Sequence, residues 1–229
     1  MDTNSQFSDI PGKIDDVWEA IHSSQEWGQY PTEHVIRFVA RNYYKKERRL
    51  VKILDFGVGG GAHTWYLARD GFDTYGFDGS FSAVEKVKSR LIREKLTAHI
   101  SCVSGQEVEY NFDFFDAVID NFCIYSNKLN DIVLMYKKAY SFLKKNGRLL
   151  SAVFGKKTTG YGLGEQIEKD TYTNITEGPL LHRGKAHFFS PQTFVSLLED
   201  VGFKNIKCEE CLYTDNGNTI DMLIATCEK

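Results

Sequence analysis

The 229-residue sequence predicts an α/β fold, in which a mostly parallel sheet carries helices on both faces. From about residue 50, short apolar segments alternate with helical segments, a pattern typical of parallel strands joined by crossover helices. A glycine-rich turn, GVGGG at 57–61, follows the first apolar strand and leads directly into a helical pattern. The chain ends in two strand-like runs separated by DNGN, which is a hairpin turn signal.

The elements follow from the spacing of apolar residues. Before the sheet, this spacing predicts a helix over 13–24 and a second helix that Thr32 can cap. We predict five strands and four helices in the alternating region, with strands at 50–56, 72–77, 98–103, 114–120 and 147–154, and helices near 62–70, 81–95, 128–145 and 191–201.

The segment at 155–190 looks irregular and is too long for an ordinary connection. Loops of this length are often lids or binding loops, and this one follows the fifth strand, where the carboxyl ends of the strands open. The predicted organisation is therefore an N-terminal helical cap at 1–49 and an α/β domain at 50–229, with a substrate lid at 155–190.

Composition narrows the class of protein. Hydrophobic residues make up 42% and charged residues 26%, as in soluble globular proteins, and the net charge of -3 argues against a nucleic-acid partner. The polar N-terminus predicts no signal peptide, and no apolar run approaches the roughly 20 residues that a membrane span needs. We expect a cytoplasmic protein with no membrane partner, as a monomer or homodimer.

No metal site is predicted. Cys208 and Cys211 have the CxxC spacing, but they lie in a strand-like run, where residues three apart point to opposite faces. No second CxxC pair completes a set of four ligands. Five scattered cysteines, an odd number, fit a reducing compartment.

The glycine turn suits more than one ligand. Residues 57–62 satisfy GxGxxG/A, the fingerprint of dinucleotide binding. Asp55, two residues before the first glycine, can face the ammonium group of a ligand but would repel a pyrophosphate. Asp78, at the end of the second strand, can bind the hydroxyls of a ribose, which both kinds of ligand carry.

DFGVGGG at 55–61 resembles the DxGxGxG signature of class I S-adenosylmethionine-dependent methyltransferases. Four later stretches resemble further motifs of that family in the same order, namely YGFDGSFSAVEKVKSR, FFDAVIDNFCIY, KKAYSFLKKNGRLLSAVF and GFKNIKCEE. The resemblance runs from about 50 to 229. It implies a Rossmann-like seven-stranded sheet in the order 3-2-1-4-5-7-6, with the last strand antiparallel.

The resemblance also implies a cofactor, S-adenosyl-L-methionine, with S-adenosyl-L-homocysteine as its product. Gly57, Gly59 and Gly61 would let the backbone approach the methionine part, and Asp55 would face its amino group. The remaining cofactor-binding residues implied are Asp78 and Gly79 at the ribose, Asn121, and Gln106 at the adenine, where Ser104 and Glu107 remain alternatives.

The acceptor pocket is predicted from two regions. Trp27 and Tyr30 could close over the sulfonium, or simply pack the helical cap onto the sheet. His182 and Arg183 belong to the lid, where Arg183 could bind an anionic group or remain a solvated charge. Tyr125 completes the set of predicted substrate-binding residues.

Two residues are candidate catalytic bases. His187 is the first, because histidine is the commonest base near neutral pH, although it could instead belong to a structural element before the helix at 191. Asp120, at the carboxyl end of the fourth strand, is the second.

The acceptor is expected to be a small molecule, since the chain lacks a DPPY-like motif and a basic nucleic-acid module. WGQYPTE and RGKAHFF look like methyltransferases from bacterial surface-polysaccharide gene clusters. That likeness would imply methylation of an oxygen on a sugar, sugar-linked or phosphorylated metabolite. The alternatives are a non-catalytic module that binds S-adenosylmethionine or adenosine, and an NAD-dependent oxidoreductase.

Overall fold

A computed structural model describes residues 16–229. The helices are α1 (Asp16–Ser24), α2 (Glu33–Tyr43), α3 (Ala62–Arg69), α4 (Phe81–Arg93), α5 (Leu129–Phe142) and α6 (Pro191–Val201). The strands are β1 (Lys52–Phe56), β2 (Asp73–Asp78), β3 (His99–Cys102), β4 (Phe115–Asn121), β5 (Leu143–Phe154), β6 (Glu165–Glu168), β7 (Thr171–Thr173), β8 (Ala186–His187), β9 (Lys204–Asp215) and β10 (Asn218–Glu228). Residues 13–15 of the predicted first helix lie outside the described part of the chain.

The main sheet has seven strands in the order β3-β2-β1-β4-β5-β10-β9. Strands β1 to β5 pair in parallel, and β10 runs antiparallel to both of its neighbours, β5 and β9. Since β9 and β10 are the sixth and seventh strands of this sheet, the predicted order and the predicted antiparallel last strand are confirmed. Within residues 16–229, none of the helices has the length and apolar character needed to cross a membrane.

Both faces of the central strands are buried, as expected for a parallel sheet covered by helices. Leu54 and Val118 pack into a core with α5 and α6, while Ile53 and Ile119 pack with α2 and α3 on the opposite face. All four side chains are fully buried. The alternation of neighbouring residues between the two cores follows directly from the two-residue period of a strand.

The boundary between α5 and β5 differs from the prediction, which continued the helix to 145 and began the strand at 147. The helix ends at Phe142, and Leu143 already pairs with Phe115 of β4. The next pair joins Ala117 to Arg148, so residues 144–147 form a bulge within the strand. The KKNG sequence suits this bulge, because asparagine tolerates the positive φ of 62° found at position 146.

The segment at 155–190 is more ordered than the predicted irregular loop. It contains a three-stranded antiparallel sheet of β6, β7 and β8. Two backbone hydrogen bonds attach its end to the end of β5: Lys156 N donates to Phe189 O at 3.0 Å, and Phe189 N donates to Phe154 O at 3.0 Å. The segment is therefore fixed above the carboxyl edge of the main sheet.

Helix α1 is attached to the first turn of α4. The Glu19 carboxylate accepts hydrogen bonds from Ser80 Oγ and Ser82 Oγ, both at 2.5 Å. A carboxylate at this position also interacts favourably with the positive end of the α4 dipole. These contacts place α1 over the loops that follow β1 and β2.

Candidate active site

A cavity of about 420 Å³ opens where the parallel strands end. Each of the five parallel strands contributes to its wall near its carboxyl end, through Gly57, Asp78, Ser104, Asn121 and Phe154 respectively. Ligands of open α/β sheets bind at this edge, because the loops that follow the strands meet there. The cavity is therefore the candidate active site.

The opposite wall comes from segments outside the parallel strands. Trp18 and His22 of α1 line the cavity together with Trp27 and Tyr30 from the α1–α2 connection. Arg183 of the 155–190 segment completes this wall, with its guanidinium carbon 4.5 Å from the centre of the Trp27 ring. This wall thus combines aromatic rings with one fixed positive charge.

The glycine turn forms part of the cavity through Gly57 and Gly59, which have φ values of 83° and 47°. A Cβ atom on Gly57 would also overlap the side chain of Cys123. Gly61 does not line the cavity, contrary to the predicted contact with the cofactor. A Cβ there would collide with Val87, so its missing side chain instead lets α3 pack closely against α4.

Asp55 does not line the cavity either, although it was predicted to face the amino group of the cofactor. Its Oδ2 atom accepts a hydrogen bond from Thr64 Oγ1 at 2.6 Å. The Thr64 backbone N–H also donates a hydrogen bond to this carboxyl group, and both bonds lower its pKa. Burial has the larger effect and raises the pKa of Asp55 to about 7. Because Gly61 occupies the N-cap position without a side chain, Asp55 caps α3 from the adjacent strand.

Asp78 lines the cavity as predicted for a ribose ligand. Its two carboxylate oxygens accept backbone hydrogen bonds from Gly59 N and Ser80 N, each at 2.9 Å. Burial raises the pKa of Asp78, while these two bonds and nearby His22 oppose that rise. Each oxygen retains a second lone pair that could accept a hydroxyl, and Gly79 lies beside it in the wall.

Asp120 is fully buried and does not line the cavity, so the structure does not place it as a base. Oδ1 accepts hydrogen bonds from Cys123 N and Ile124 N at 3.1 Å each. Oδ2 accepts from Ser151 Oγ at 2.6 Å and lies 3.3 Å from the donor Tyr136 Oη. Four donors therefore surround this carboxylate, and its bonds fix the loop after β4.

His187 also lies away from the cavity. Its Nδ1 atom is 2.6 Å from Thr171 Oγ1 in the small sheet, and its backbone N–H donates to Tyr125 O at 2.9 Å. Burial lowers the pKa of His187 to about 4. His182 is exposed and does not line the cavity, so neither lid histidine occupies the predicted position. The structural role considered for His187 agrees with this geometry.

The other predicted residues do lie at the cavity. Gln106 lines it and donates to Asn127 Oδ1 at 3.1 Å, whereas Glu107, one of the alternatives, does not line it. Asn121 and Tyr125 follow β4 into the wall, and the Tyr125 ring lies 5.0 Å from that of Phe154.

Thr32 is a cavity residue that was not recognised from the sequence. Thr32 lines the wall beside His63 and Asn121, and His34 Nε2 donates to Asn121 Oδ1 at 2.5 Å. His63 Nε2 accepts from Thr32 N at 3.4 Å, and burial lowers the pKa of His63 to about 4. His63 is therefore neutral at pH 7.

Trp18 and His22 were also missed as cavity residues. Their spacing of one helical turn was a usable signal, because it places both rings on one face of α1, where they stack at 6.1 Å. Within residues 16–229, no group of three or more histidine, cysteine or acidic side chains is arranged to hold a metal ion.

Three carboxyl groups, two of them buried, lie near the floor of the cavity. The half-buried Cys123, which lines the cavity, has a raised pKa, first because of burial and then because of the carboxyl groups of Asp120, Asp78 and Asp55. The ionised forms of these carboxyl groups create a field that favours a cationic ligand and opposes a pyrophosphate. It therefore favours a sulfonium ligand over a dinucleotide.

A family model described as a methyltransferase domain matches residues 25–207. Among curated proteins, the chain is similar to a ubiquinone biosynthesis O-methyltransferase from Pelagibacter ubique, with 27% identity over 133 residues, or 58% of this chain and 54% of that protein. It is also similar to the mitochondrial ubiquinone biosynthesis O-methyltransferase of Bos taurus, with 24% identity over 81% of this chain and 50% of that protein. The chain spans about half the length of these relatives.

Among solved structures, the fold is similar to that of a Methanosarcina mazei protein described as an S-adenosylmethionine-dependent methyltransferase. The TM-score is 0.69 and the identity 19%, covering 87% of this chain and 98% of that chain. At 19% identity, this similarity shows a shared fold and nothing further.

We predict different effects for two replacements of Asp120. Asp120→Ala leaves three donors without an acceptor, the two backbone N–H groups and one hydroxyl, because Tyr136 Oη and Ser151 Oγ lie 2.8 Å apart and can still bond each other. At about 1–3 kcal/mol for each unsatisfied group, the free energy of unfolding should fall by at least about 3 kcal/mol. Asp120→Asn keeps Oδ1 for the two backbone donors and should cost less. Urea denaturation measures both. A loss of turnover of about 10²–10⁴-fold in a well-folded Asp120→Asn protein would instead identify a base.

We also predict that acid destabilises the fold through His187. Its folded pKa of about 4 lies below the ordinary value of 6.5, so the unfolded chain binds the proton more readily as pH falls. The contribution of neutral His187 should be intact above pH 6.5 and lost progressively towards pH 4, at about 3 kcal/mol. Denaturant melts at pH 7, 6, 5 and 4 measure this loss.

Asn at position 187 can keep the bond to Thr171 but does not titrate in this range. The His187→Asn protein should therefore lose distinctly less stability between pH 7 and 4 than the parent protein. Equal losses in the two proteins would contradict the assignment to His187.

Proposed function

Because this chain belongs to the methyltransferase-domain family of S-adenosylmethionine-dependent enzymes, we propose that it transfers the methyl group to an oxygen of a small-molecule acceptor. The observation that supports this most directly is one cavity that combines the glycine turn and Asp78 with an aromatic opposite wall. The names of the two curated relatives favour oxygen as the acceptor atom. A sugar, sugar-linked or phosphorylated metabolite is the acceptor class that we propose from the sequence.

The cavity contains residues suited to the methionine, ribose and adenine parts of S-adenosylmethionine. The backbone at Gly57 and Gly59 accommodates the methionine part, with Asn121 at the end of β4 as a polar partner. Asp78 takes the ribose hydroxyls, since its carboxylate retains free lone pairs. Gln106 borders the adenine, in the loop that follows β3.

Bound S-adenosylmethionine supplies a methyl group on a positively charged sulfur. The protein contributes mainly by aligning the acceptor, an effect of about 7–11 kcal/mol in well-oriented reactions. Two neutral imidazoles line the cavity, those of His22 and His63, and burial lowers the pKa of each. His22 is the first candidate to accept the proton of an acceptor hydroxyl, and His63 could do so only by giving up the hydrogen bond that its Nε2 accepts from Thr32 N. They replace His187 and Asp120 as candidate bases on geometric grounds.

We also propose a separate role for each part of the chain. The α/β domain at 50–229 holds the cofactor, and the cap at 1–49 covers it through Trp18, His22 and Trp27. The segment at 155–190 acts as the substrate lid through Pro179, Leu180 and Arg183.

Ligand binding tests the cofactor assignment. Calorimetry should detect micromolar binding of S-adenosylhomocysteine and much weaker binding of NAD. Asp78→Asn should weaken binding of the thioether about 10–100-fold, the usual effect of losing a hydrogen bond to a charged group. Asp113→Asn is the matched control, since Asp113 is an exposed partner of Lys229 outside the cavity. Micromolar NAD binding without thioether binding would refute the assignment.

A turnover assay separates an enzyme from a binding module. With S-adenosylmethionine present, we expect a panel of hydroxylated sugars, sugar phosphates and phenols to include compounds that trigger homocysteine formation in a coupled assay. His22→Gln and His63→Gln are to be compared at saturating cofactor, because loss of a base lowers kcat by about 10²–10⁴-fold. Thioether binding without product from any acceptor would favour the non-catalytic alternative.

A further inference from the structure

Arg183 has a buried donor without a protein acceptor. Its Nη1 atom is inaccessible to solvent, and no acceptor within residues 16–229 lies at hydrogen-bond distance. Buried side-chain donors are nearly always paired, so this guanidinium, which is partly exposed and lines the cavity, carries a donor that the protein leaves unsatisfied. Arginine cannot lose its proton in a protein, so the positive charge is permanent.

The contact with Trp27 does not replace such a partner. A guanidinium 4.5 Å from an indole centre gains about 0.5–2 kcal/mol from the ring, but its N–H donors remain unbound. The contact does hold the guanidinium beside the Trp27 ring. A prepositioned fork of this kind matches the two oxygens of a carboxylate or phosphate.

Arg183 lies away from the floor of the cavity, in a position suited to bind the methyl acceptor. The carboxyl groups near the floor stand at or near the ends of β1, β2 and β4, whereas Arg183 lies in the opposite wall with Trp27 and Leu180. It lines the cavity together with His22 of α1 and Tyr125 of the loop after β4. A second cation beside a sulfonium is unfavourable unless an anion accompanies it.

We propose that the methyl acceptor carries a carboxylate or phosphate group, which Arg183 binds, and an apolar face that lies against Trp27 and Tyr125. The anionic group forms paired hydrogen bonds with the guanidinium. The bound anion also offsets the repulsion between Arg183 and the sulfonium. This inference rests on the proposed methyltransferase function and narrows its substrate to anions.

The test uses probes that differ in charge and little in shape. Calorimetry on protein saturated with S-adenosylhomocysteine compares 3,4-dihydroxybenzoate with 3,4-dihydroxybenzamide, and in a second arm phenyl phosphate with the neutral dimethyl phenyl phosphate. We expect at least one anion to bind 10-fold or more tightly than its neutral partner. The arm in which this occurs distinguishes a carboxylate from a phosphate.

Variants connect this preference to Arg183. Arg183→Met should abolish the preference, and Arg183→Lys should keep part of it, because a lysine preserves the charge without the planar fork. Arg69→Met is the matched control: Arg69 also lies over an indole, 5.3 Å from the Trp65 ring, and pairs with Glu94 outside the cavity. This control should leave the preference unchanged.

Three results would overturn the inference. The first is equal binding of anionic and neutral probes by the parent protein, and the second is a preference that survives in Arg183→Met. The third is a 10-fold or greater loss of S-adenosylhomocysteine binding in Arg183→Met, which would assign Arg183 to the carboxylate of the cofactor. Failure of the parent protein to bind the thioether would instead refute the proposed function itself.

Discussion

Buried carboxylates at the ends of neighbouring strands hold the candidate site together. Asp55, Asp78 and Asp120 stand at or near the carboxyl ends of β1, β2 and β4, and each accepts backbone hydrogen bonds from the chain that follows or adjoins its strand. Parallel pairing brings these three ends to the same edge of the sheet. Hydrogen bonds to carboxyl groups at the strand ends therefore fix the conformation of the loops that shape the cavity.

This arrangement gives the cavity opposite electrostatic sides. The carboxylates lie near the floor, and the guanidinium of Arg183 lies in the wall across from them. A cationic ligand near the carboxyl groups of the floor and an anionic ligand near Arg183 would together complement both sides of the cavity. Electrostatic complementarity of this kind favours correct orientation as well as affinity.

Much of the fold was predictable because its signals are local. The glycine turn, the apolar period of each strand and the Asn216-Gly217 hairpin turn all act within a few residues, and they specify the sheet correctly. The bulge at 144–147 was not predictable, since the pairing of β4 with β5 across the sheet decides where the helix ends.

The direction of a side chain at a strand end was the main obstacle within the site. Asp78 and Asp120 look alike in sequence, yet one lines the cavity and the other is enclosed by donors from three separate parts of the chain. His22 is a similar case, because only the docking of α1 on α4 brings it to the cavity. The polysaccharide pathway and the quaternary state stay predictions.

The attachment of α1 has a consequence for kinetics. Glu19 accepts hydrogen bonds from the buried Ser80 and the half-buried Ser82, and Trp18 of the same helix donates to Ser126 Oγ at 2.8 Å. Helix α1 is therefore held over the cavity at two places, the start of α4 and the loop after β4. We expect the residence time of the demethylated cofactor to depend on how fast the bonds that hold α1 break. A substitution at Glu19 would therefore change the rate of product release more than the rate of methyl transfer.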